Sequence, residues 1–276
     1  MTLRRFVKCL FMLLVTAASA GLAAQQGAPM PFQSGQGIAP AFEGWYRNPD
    51  GTISLSFGYL NRNYKEEIDV PVGANNRIEP GGPDRGQPTH FLPRRQTGIF
   101  TVVVPKDFPA SGQLTWTITA HGQTNSVPGH IRPEWEIDAL KEATSGNTPP
   151  LVRLAAGAAG GRGPNGPRTT LRARVGERLP LTLWASDDDV RKQQDRGGPG
   201  LGIVWSQFRG DGRVTFAATA PGLIGGQATT SATFDRPGDY VLRALAWDAS
   251  GGQGTVMAGG FQCCWTNAFV QVTVVP

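Results

Sequence analysis

The stretch that decides the fold is residues 234–248, which read FDRPGDYVLRALAWD. Successive side chains of a strand point to opposite faces of a sheet, so Tyr240, Leu242 and Ala244 share one face of an extended segment. The pair Pro237-Gly238 supplies a turn directly before this segment. The pattern therefore predicts a long strand that follows a tight turn, which is typical of a small antiparallel β-sandwich.

Similar apolar alternations recur on both sides of this strand, separated by turn-forming clusters drawn from 37 glycines and 22 prolines. Pro-Asp-Gly within residues 48–51 predicts a hairpin in the first half of the chain. Residues 144–150, TSGNTPP, lack apolar periodicity and are typical of a linker. The sequence therefore predicts an all-β chain of two antiparallel β-sandwich domains, residues 42–145 and residues 146–276.

The second half carries a set of short motifs in a fixed order. They are VGE at 175–177, ASD at 185–187, VWS at 204–206, PGDY at 237–240, AWD at 246–248 and VTV at 272–274. In these motifs the second half resembles the PKD and related immunoglobulin-like domains of bacterial secreted proteins. The resemblance implies a spacer, adhesion or carbohydrate-associated module rather than an enzyme. The chain departs from the family's pattern at residues 190–202 and 259–265.

The beginning of the chain has the three-part order of a secretory signal peptide. Three basic residues precede an apolar run at residues 9–15, and small residues follow to Ala20, where we expect cleavage, with Ala23 as the alternative. The apolar run is shorter than the roughly 20 residues that span a membrane, so no membrane span is expected after leader removal. We expect a secreted or periplasmic protein with a flexible segment at residues 21–41, which are poor in periodic hydrophobic residues.

Charge argues against nucleic acid as the partner. The 26 basic and 21 acidic residues give +5, and a leader with three basic and no acidic residues accounts for three of those charges, which leaves +2. No Lys/Arg stripe with interleaved aromatic residues remains. No motif for a cofactor or a metal ion occurs in its required context, so none is expected.

The best candidate for a functional surface is the long loop at residues 75–95. It is stiffened by proline and glycine and dense in amide, guanidinium and carboxylate groups, which suit a glycan or peptide ligand. The end of a preceding strand is expected beside it, which gives the ligand-binding set Asn61, Arg62, Asn63, Asp84, Arg85, Gln87 and His90. On this interpretation, replacing Arg85 and His90 by alanine leaves stability nearly unchanged. The alternative is that Asp84 and Arg85 pin the loop to its own sheet.

Three classes of function compete for this surface. A non-catalytic binding or cell-surface module is favoured, because no catalytic motif occurs in its required context. The rival is a hydrolytic enzyme that uses Asp84, His90 and Glu66 or Glu67, which requires these side chains to lie within about 3 Å of their partners. A passive spacer is the third class. Residues 187–189 and Asp248 could gather oxygen ligands for calcium, but solvated acidic residues beside a turn are favoured.

Cys263 and Cys264 are the only cysteines that remain once Cys9 leaves with the leader. Adjacent Cα atoms lie about 3.8 Å apart, closer than the roughly 4.4–6.8 Å of ordinary disulfides, so a bond between them is strained. An intermolecular bridge or two thiols are the alternatives. Because export favours oxidation, we predict a bond between Cys263 and Cys264.

Overall fold

The computed structural model describes residues 32–143, 145–188, 200–248 and 263–276. Several sequence predictions lie outside these ranges. They are the leader, residues 21–31 of the flexible segment, Asp189, and most of the two segments that depart from the family's pattern. Residues 33–276 form a single compact unit. Within the described ranges the regular structure consists of strands and one 3-10 turn, Pro133–Trp135. The prediction of an all-β chain is confirmed.

The first sandwich is built from the strands of the first half. One sheet has the order β1-β2-β6 and the other β4-β7-β8, and β3 pairs with β5 beside them, all antiparallel. The bounds are β1 Ile38–Arg47, β2 Ile53–Asn61, β3 Ile68–Asp69, β4 Asn76–Glu79, β5 His90–Phe91, β6 Arg94–Val104, β7 Leu114–Ala120 and β8 Gln123–Gly129. Their inward aromatic and aliphatic side chains form one core between the sheets.

The second sandwich has sheets of order β13-β14-β11-β9 and β10-β16-β15-β12. The bounds are β9 Leu151–Arg153, β10 Arg168–Arg174, β11 Leu179–Ser186, β12 Gly202–Arg209, β13 Val214–Phe216, β14 Gln227–Phe234, β15 Gly238–Trp247 and β16 Trp265–Val275. These orders correspond to the D-E-B-A and A′-G-F-C sheets of an immunoglobulin domain. Only β10 and β16 pair in parallel among the described strands. The prediction of an immunoglobulin-like second sandwich is confirmed.

Tyr240 shows how residues 234–248 specify this fold. It lies near the start of β15, is buried, and its hydroxyl donates to the carbonyl oxygen of Arg236 at 2.9 Å. This is the tyrosine corner of immunoglobulin-like domains, in which the phenol closes the connection between the two sheets. Trp205 on β12 is also buried, at the position of the core tryptophan of these domains.

Replacing Tyr240 by phenylalanine is expected to lower the free energy of unfolding by about 1–1.5 kcal/mol, the net value of one buried hydrogen bond. Urea unfolding of the full chain measures the change. Tyr64 is half exposed and supplies the matched control, because Tyr64→Phe is expected to change nothing. An unchanged unfolding midpoint for Tyr240→Phe would contradict this role of the hydroxyl.

The prediction that residues 21–41 are flexible is wrong for the last residues of this range. Ile38 to Ala41 belong to β1 and pair with β2. Before them, the carbonyl oxygen of Gln33 accepts from the backbone N–H groups of Lys65 and Glu66 at 3.0 and 3.1 Å. The first sandwich therefore begins ahead of residue 42, because this polar stretch is held by backbone bonds that a hydrophobic pattern does not reveal.

The predicted linker is packed rather than exposed. Asn147 is fully buried and its Nδ2 donates to Asp248 Oδ2 at 2.7 Å. Pro149 and Pro150 are buried as well, and the carbonyl oxygen of Pro150 accepts from Thr266 Oγ1 at 2.6 Å. This segment therefore lies against the second sandwich. Separate folding of the two halves stays a prediction, and the contacts between them oppose it.

Those contacts begin with the cores. The core of the first sandwich includes Phe208 from β12 and Phe269 from β16, whose rings stack edge to face with centroids 5.2 Å apart. Trp265 Nε1 and Asn267 Nδ2 both donate to the carbonyl oxygen of Gly98 in β6, at 3.0 and 2.8 Å. All four of these side chains are buried. One sheet of the second sandwich thus forms part of the packing of the first.

Candidate functional site

The loop at residues 75–95 is folded back on a buried asparagine. Asn76 Nδ2 donates to the carbonyl oxygens of Val70 and Pro88 at 2.9 and 2.8 Å, and its Oδ1 accepts from Trp116 Nε1 at 3.0 Å. One side chain therefore ties both ends of the loop to the core of the first sandwich. These hydrogen bonds order both ends of the loop.

Gln87, which the sequence placed in the ligand-binding set, is a second internal pin. It is fully buried, and its Nε2 donates to the carbonyl oxygens of Pro83 and Asn76 at 2.6 and 3.3 Å. Its Oε1 accepts from the backbone N–H of Arg85 at 2.8 Å. The amide has no surface to offer a ligand, so the prediction of a ligand-binding Gln87 is wrong.

Asn61 and Asn63 are also fully buried. Asn61 Nδ2 donates to the carbonyl oxygens of Glu66 and Phe91 at 2.8 and 3.2 Å. Asn63 Nδ2 donates to Asn61 Oδ1 at 2.9 Å and to the carbonyl oxygen of Gln36 at 2.8 Å. Planar amides satisfy backbone groups as well as they satisfy a ligand. These two hold the end of β2 to its neighbours and are not part of a recognition surface.

The charged residues of the predicted ligand-binding set have different surroundings. Asp84 faces Arg209 of the second sandwich, with Oδ1 to Nη2 at 2.8 Å and Oδ2 to Nη1 at 3.1 Å. This hydrogen-bonded pair lowers the pKa of the Asp84 carboxyl. Arg85 Nη2 donates to the carbonyl oxygen of Pro80 at 2.7 Å, and Arg62 is exposed. Asp84 therefore pins the loop to the other sandwich, whereas Arg85 pins it to itself.

His90 is buried between two carboxylates. Its Nδ1 lies 2.8 Å from Asp69 Oδ1 and its Nε2 lies 3.4 Å from Glu67 Oε2. Burial alone lowers the pKa of the imidazole, but the hydrogen bonds to Asp69 and Glu67 outweigh burial and raise it to about 9. The expectation that His90 and Arg85 can be replaced by alanine without loss of stability stays a prediction, and these contacts oppose it, because both side chains hold the loop.

The constellation proposed for a hydrolytic enzyme is only partly assembled. Glu67 and His90 meet, but Asp84 is paired with Arg209, and Glu66 Oε1 lies 3.1 Å from His121 Nε2 on the surface. With a pKa of about 9 the imidazole carries its proton at neutral pH, and both ring nitrogens face carboxylates. A general base needs a free nitrogen and a pKa near the working pH. The arrangement is that of an ion cluster.

A cleft of about 770 Å³ opens beside this ion cluster, between the loop and the edge of the second sandwich. Glu67, Asp69, His90 and Leu92 line it on the side of the first sandwich. The other side is formed by β12, β13 and two turns: Val204, Trp205, Ser206, Gln207, Asp211, Gly212, Arg213, Val214, Thr215, Phe216, Thr219, Asp235 and Arg236. The volume is in the range of small-molecule and side-chain pockets.

Some of the charges at the mouth of the cleft are already engaged within the protein. The hydrogen bond with His90 lowers the pKa of the Glu67 carboxyl. Asp235 Oδ1 accepts from the backbone N–H of Arg213 at 2.8 Å. Deeper in, Trp205 is almost fully buried, and its Nε1 has no acceptor among the described residues. The cleft thus combines an apolar floor with a polar rim that carries charges of both signs.

The sequence pointed to His90 and, in the hydrolytic alternative, to Glu67, but not to the rest of the cleft. The motif Val204-Trp205-Ser206 indicated only the fold, and β13 carried no functional signal. The two sides of the cleft are far apart in sequence, and only the packing of one sandwich on the other brings them together. A buried tryptophan on an edge strand is the one local signal for this site.

Cys263, Cys264 and Asp188, which belongs to the acidic residues 187–189, do not line the cleft. Cys263 and Cys264 are bonded to each other and buried, with Cys264 Sγ 3.6 Å from the carbonyl oxygen of Asn147. Asp188 Oδ2 accepts from the backbone N–H and the Oγ1 of Thr148 at 3.1 and 2.6 Å. The described part of the chain contains no cluster of His, Cys, Asp or Glu arranged to hold a metal ion.

No protein family and no curated protein sequence matches the chain. Two solved structures show distant likenesses at 12% sequence identity. The D00-D0 domain of intimin has a TM-score of 0.28, and the match covers 87% of this chain and 100% of that chain. Domains 4 and 5 of the S-layer protein SbsC have a TM-score of 0.26, and the match covers 64% of this chain and 71% of that chain. A protein of unknown function from Porphyromonas gingivalis is 10% identical, with TM-score 0.25, 86% and 100% covered. The sheet order of this chain therefore remains the basis of its fold assignment. None of the described residues form a helix that could cross a bilayer.

Proposed function

We propose that this chain is a non-catalytic binding module of a secreted or periplasmic protein, and that the cleft beside His90 is its binding site. The observation that carries the proposal is the cleft itself, a concavity of about 770 Å³ with an apolar floor and a polar rim. Sites of this composition are the usual form of ligand pockets. The ion cluster of His90, Asp69 and Glu67 serves to fix one wall.

The lining favours a glycan or an extended peptide as the ligand. Carboxylates of Glu67 and Asp211, the guanidinium of Arg213 and the hydroxyls of Thr215 and Ser206 offer donors and acceptors around the rim. Apolar side chains of β13 alternate with the exposed Thr215. A ligand with polar groups on its edges and an apolar face fits this pattern. Nucleic acid does not, because acidic residues stand along the rim.

The test uses a substitution that fills the cleft without touching the core. Thr215 is exposed and lines the cleft, so Thr215→Arg places a long side chain in its mouth. The mature chain is applied to glycan and peptide arrays, and ligands found there are titrated against both proteins by calorimetry. We expect Thr215→Arg to weaken binding by about 10-fold or more, since a group that occupies the site must first be displaced.

Thr229 provides the matched control. It is an exposed threonine on the neighbouring β14 and does not line the cleft, so Thr229→Arg is expected to bind as the wild type does. Equal weakening by both substitutions would place the ligand elsewhere. Equal binding by all three proteins would contradict the cleft as the site.

The second candidate is a rigid spacer, which the contacts between the two sandwiches favour. Trp265 and Asn267 bond to β6, and Arg209 bonds to Asp84, so one sandwich is fixed on the other. A spacer needs this rigidity but no ligand. Arrays that give no ligand for the wild-type chain at any salt concentration would favour this candidate.

A further inference from the structure

A buried arginine lies where the two sandwiches meet. Arg243 on β15 pairs with Ser206 of β12 and with Phe269 of β16, and its side chain is 5% exposed. Its Nε donates to Asn267 Oδ1 at 2.9 Å. Within the described ranges no carboxylate lies at ion-pair distance from its guanidinium, and its Nη2 is buried without an acceptor. Removing a cation from water is costly unless its charge is compensated.

A small cavity of about 10 Å³ adjoins this side chain, close to the space that one water-sized particle needs. Tyr59, His90, Gln96, Ser206, Phe208 and Arg243 are among the residues that line it, and no Asp or Glu belongs to the lining. Of the two charged residues around the cavity, His90 is already paired with Asp69 and Glu67, which line the outer cleft. Arg243 is therefore the charged residue of this lining that has no carboxylate partner among the described residues.

The side chains of Tyr59 and Gln96 beside the cavity are already bonded to backbone groups. The phenol oxygen of Tyr59 already accepts from the backbone N–H of Leu92 at 2.7 Å, which leaves its hydrogen to donate. Gln96 Nε2 donates to the carbonyl oxygen of Pro93, away from Arg243. Burial lowers the pKa of Arg243 to about 10, so the guanidinium keeps its charge at neutral pH. A buried guanidinium with an unsatisfied Nη2 and no carboxylate partner among the described residues favours an occupant that accepts hydrogen bonds and is negatively charged.

We propose that this cavity is a structural site for a small monovalent anion of the halide class, chloride in physiological media, held by Nη2 of Arg243 at the junction of the two sandwiches. The ion neutralises the guanidinium, which a water molecule does not. It also links β15 of the second sandwich to Tyr59 of the first. Anion binding thereby stabilises the native junction, because any ligand that binds only the folded chain stabilises it by mass action.

The first test compares thermal unfolding of the full mature chain in sodium chloride and in sodium gluconate at equal ionic strength. Gluconate is too large for the cavity. We expect the unfolding midpoint to rise by roughly 2–4 °C in chloride, a shift that corresponds to partial saturation of one site. Arg243→Met, which keeps an unbranched side chain but removes the charge, is expected to abolish the difference. Arg172→Met, at an exposed arginine of β10, is expected to retain it.

The second test needs no variant and therefore stands if Arg243→Met fails to fold. Crystals of the wild-type chain grown in bromide should show an anomalous scattering peak in contact with Nη2 of Arg243. Equal midpoints in chloride and gluconate for the wild type would overturn the proposal. So would density for a water molecule, without anomalous signal, at the same position.

Discussion

Replacing Trp265 by alanine is expected to lower the free energy of unfolding by about 3–5 kcal/mol, the usual cost of truncating a buried tryptophan. Trp265 is 1% exposed and packs against Leu245 and Trp247. It also donates to the carbonyl oxygen of Gly98, so the substitution removes a bond between the sandwiches as well as core packing. Urea unfolding of the full chain measures the loss.

Trp135→Ala is the matched control for this experiment. Trp135 is 42% exposed and packs on Phe42 and His130 at the surface of the first sandwich. Its truncation is expected to cost less than half as much as that of Trp265. A loss of only about 1 kcal/mol for Trp265→Ala would contradict its role at the junction.

Replacing His90 by glutamine is expected to cost about 1–3 kcal/mol at pH 6 and much less at pH 10. The folded pKa of His90 is about 9, above the ordinary value of 6.5. Its ion pairs therefore stabilise the folded chain fully below pH 6.5, and this contribution is lost as the pH rises through 9. Asp69 and Glu67 are 61% and 47% exposed, so solvent screening places the effect toward the lower end.

The measurement is the difference in unfolding free energy between wild type and His90→Gln across this pH range. The difference should shrink as the pH increases. His121 offers the control, because it meets Glu66 on the surface and is 38% exposed. His121→Gln is expected to show no comparable pH dependence. A difference for His90→Gln that stays constant from pH 6 to pH 10 would mean that its charge does not hold the loop.

The fold was open to prediction because its signals are local. Alternation in β15, the turn at Pro237-Gly238 and the spacing to Tyr240 depend only on neighbouring residues, and the tyrosine corner follows from them. The beginning of β1 was harder to predict. Gln33 and Gly37 are held by backbone bonds from residues 62–66, and Gly35 and Gln36 by the side chains of Glu66 and Asn63. These partners are distant in sequence, so the local pattern of residues 33–37 does not encode them.

The candidate site was much harder to predict, for two physical reasons. Amide side chains such as Asn61, Asn63 and Gln87 bond equally well to a ligand or to the backbone, and only burial distinguishes the two roles. The partners of the loop also come from the other half of the chain. Arg209 is 125 residues from Asp84 in sequence, and the residues next to either one do not predict that the two side chains pair.

Native-state hydrogen exchange of the full chain tests directly whether the loop at residues 75–95 is a fixed junction between the two sandwiches. The backbone N–H of Thr89 donates to the carbonyl oxygen of Phe208 in the second sandwich at 3.1 Å. We expect this amide to exchange only through the same global opening as the amides of Leu55 in β2 and Leu242 in β15. A Thr89 amide that exchanges far faster than both, as in a free loop, would contradict this expectation.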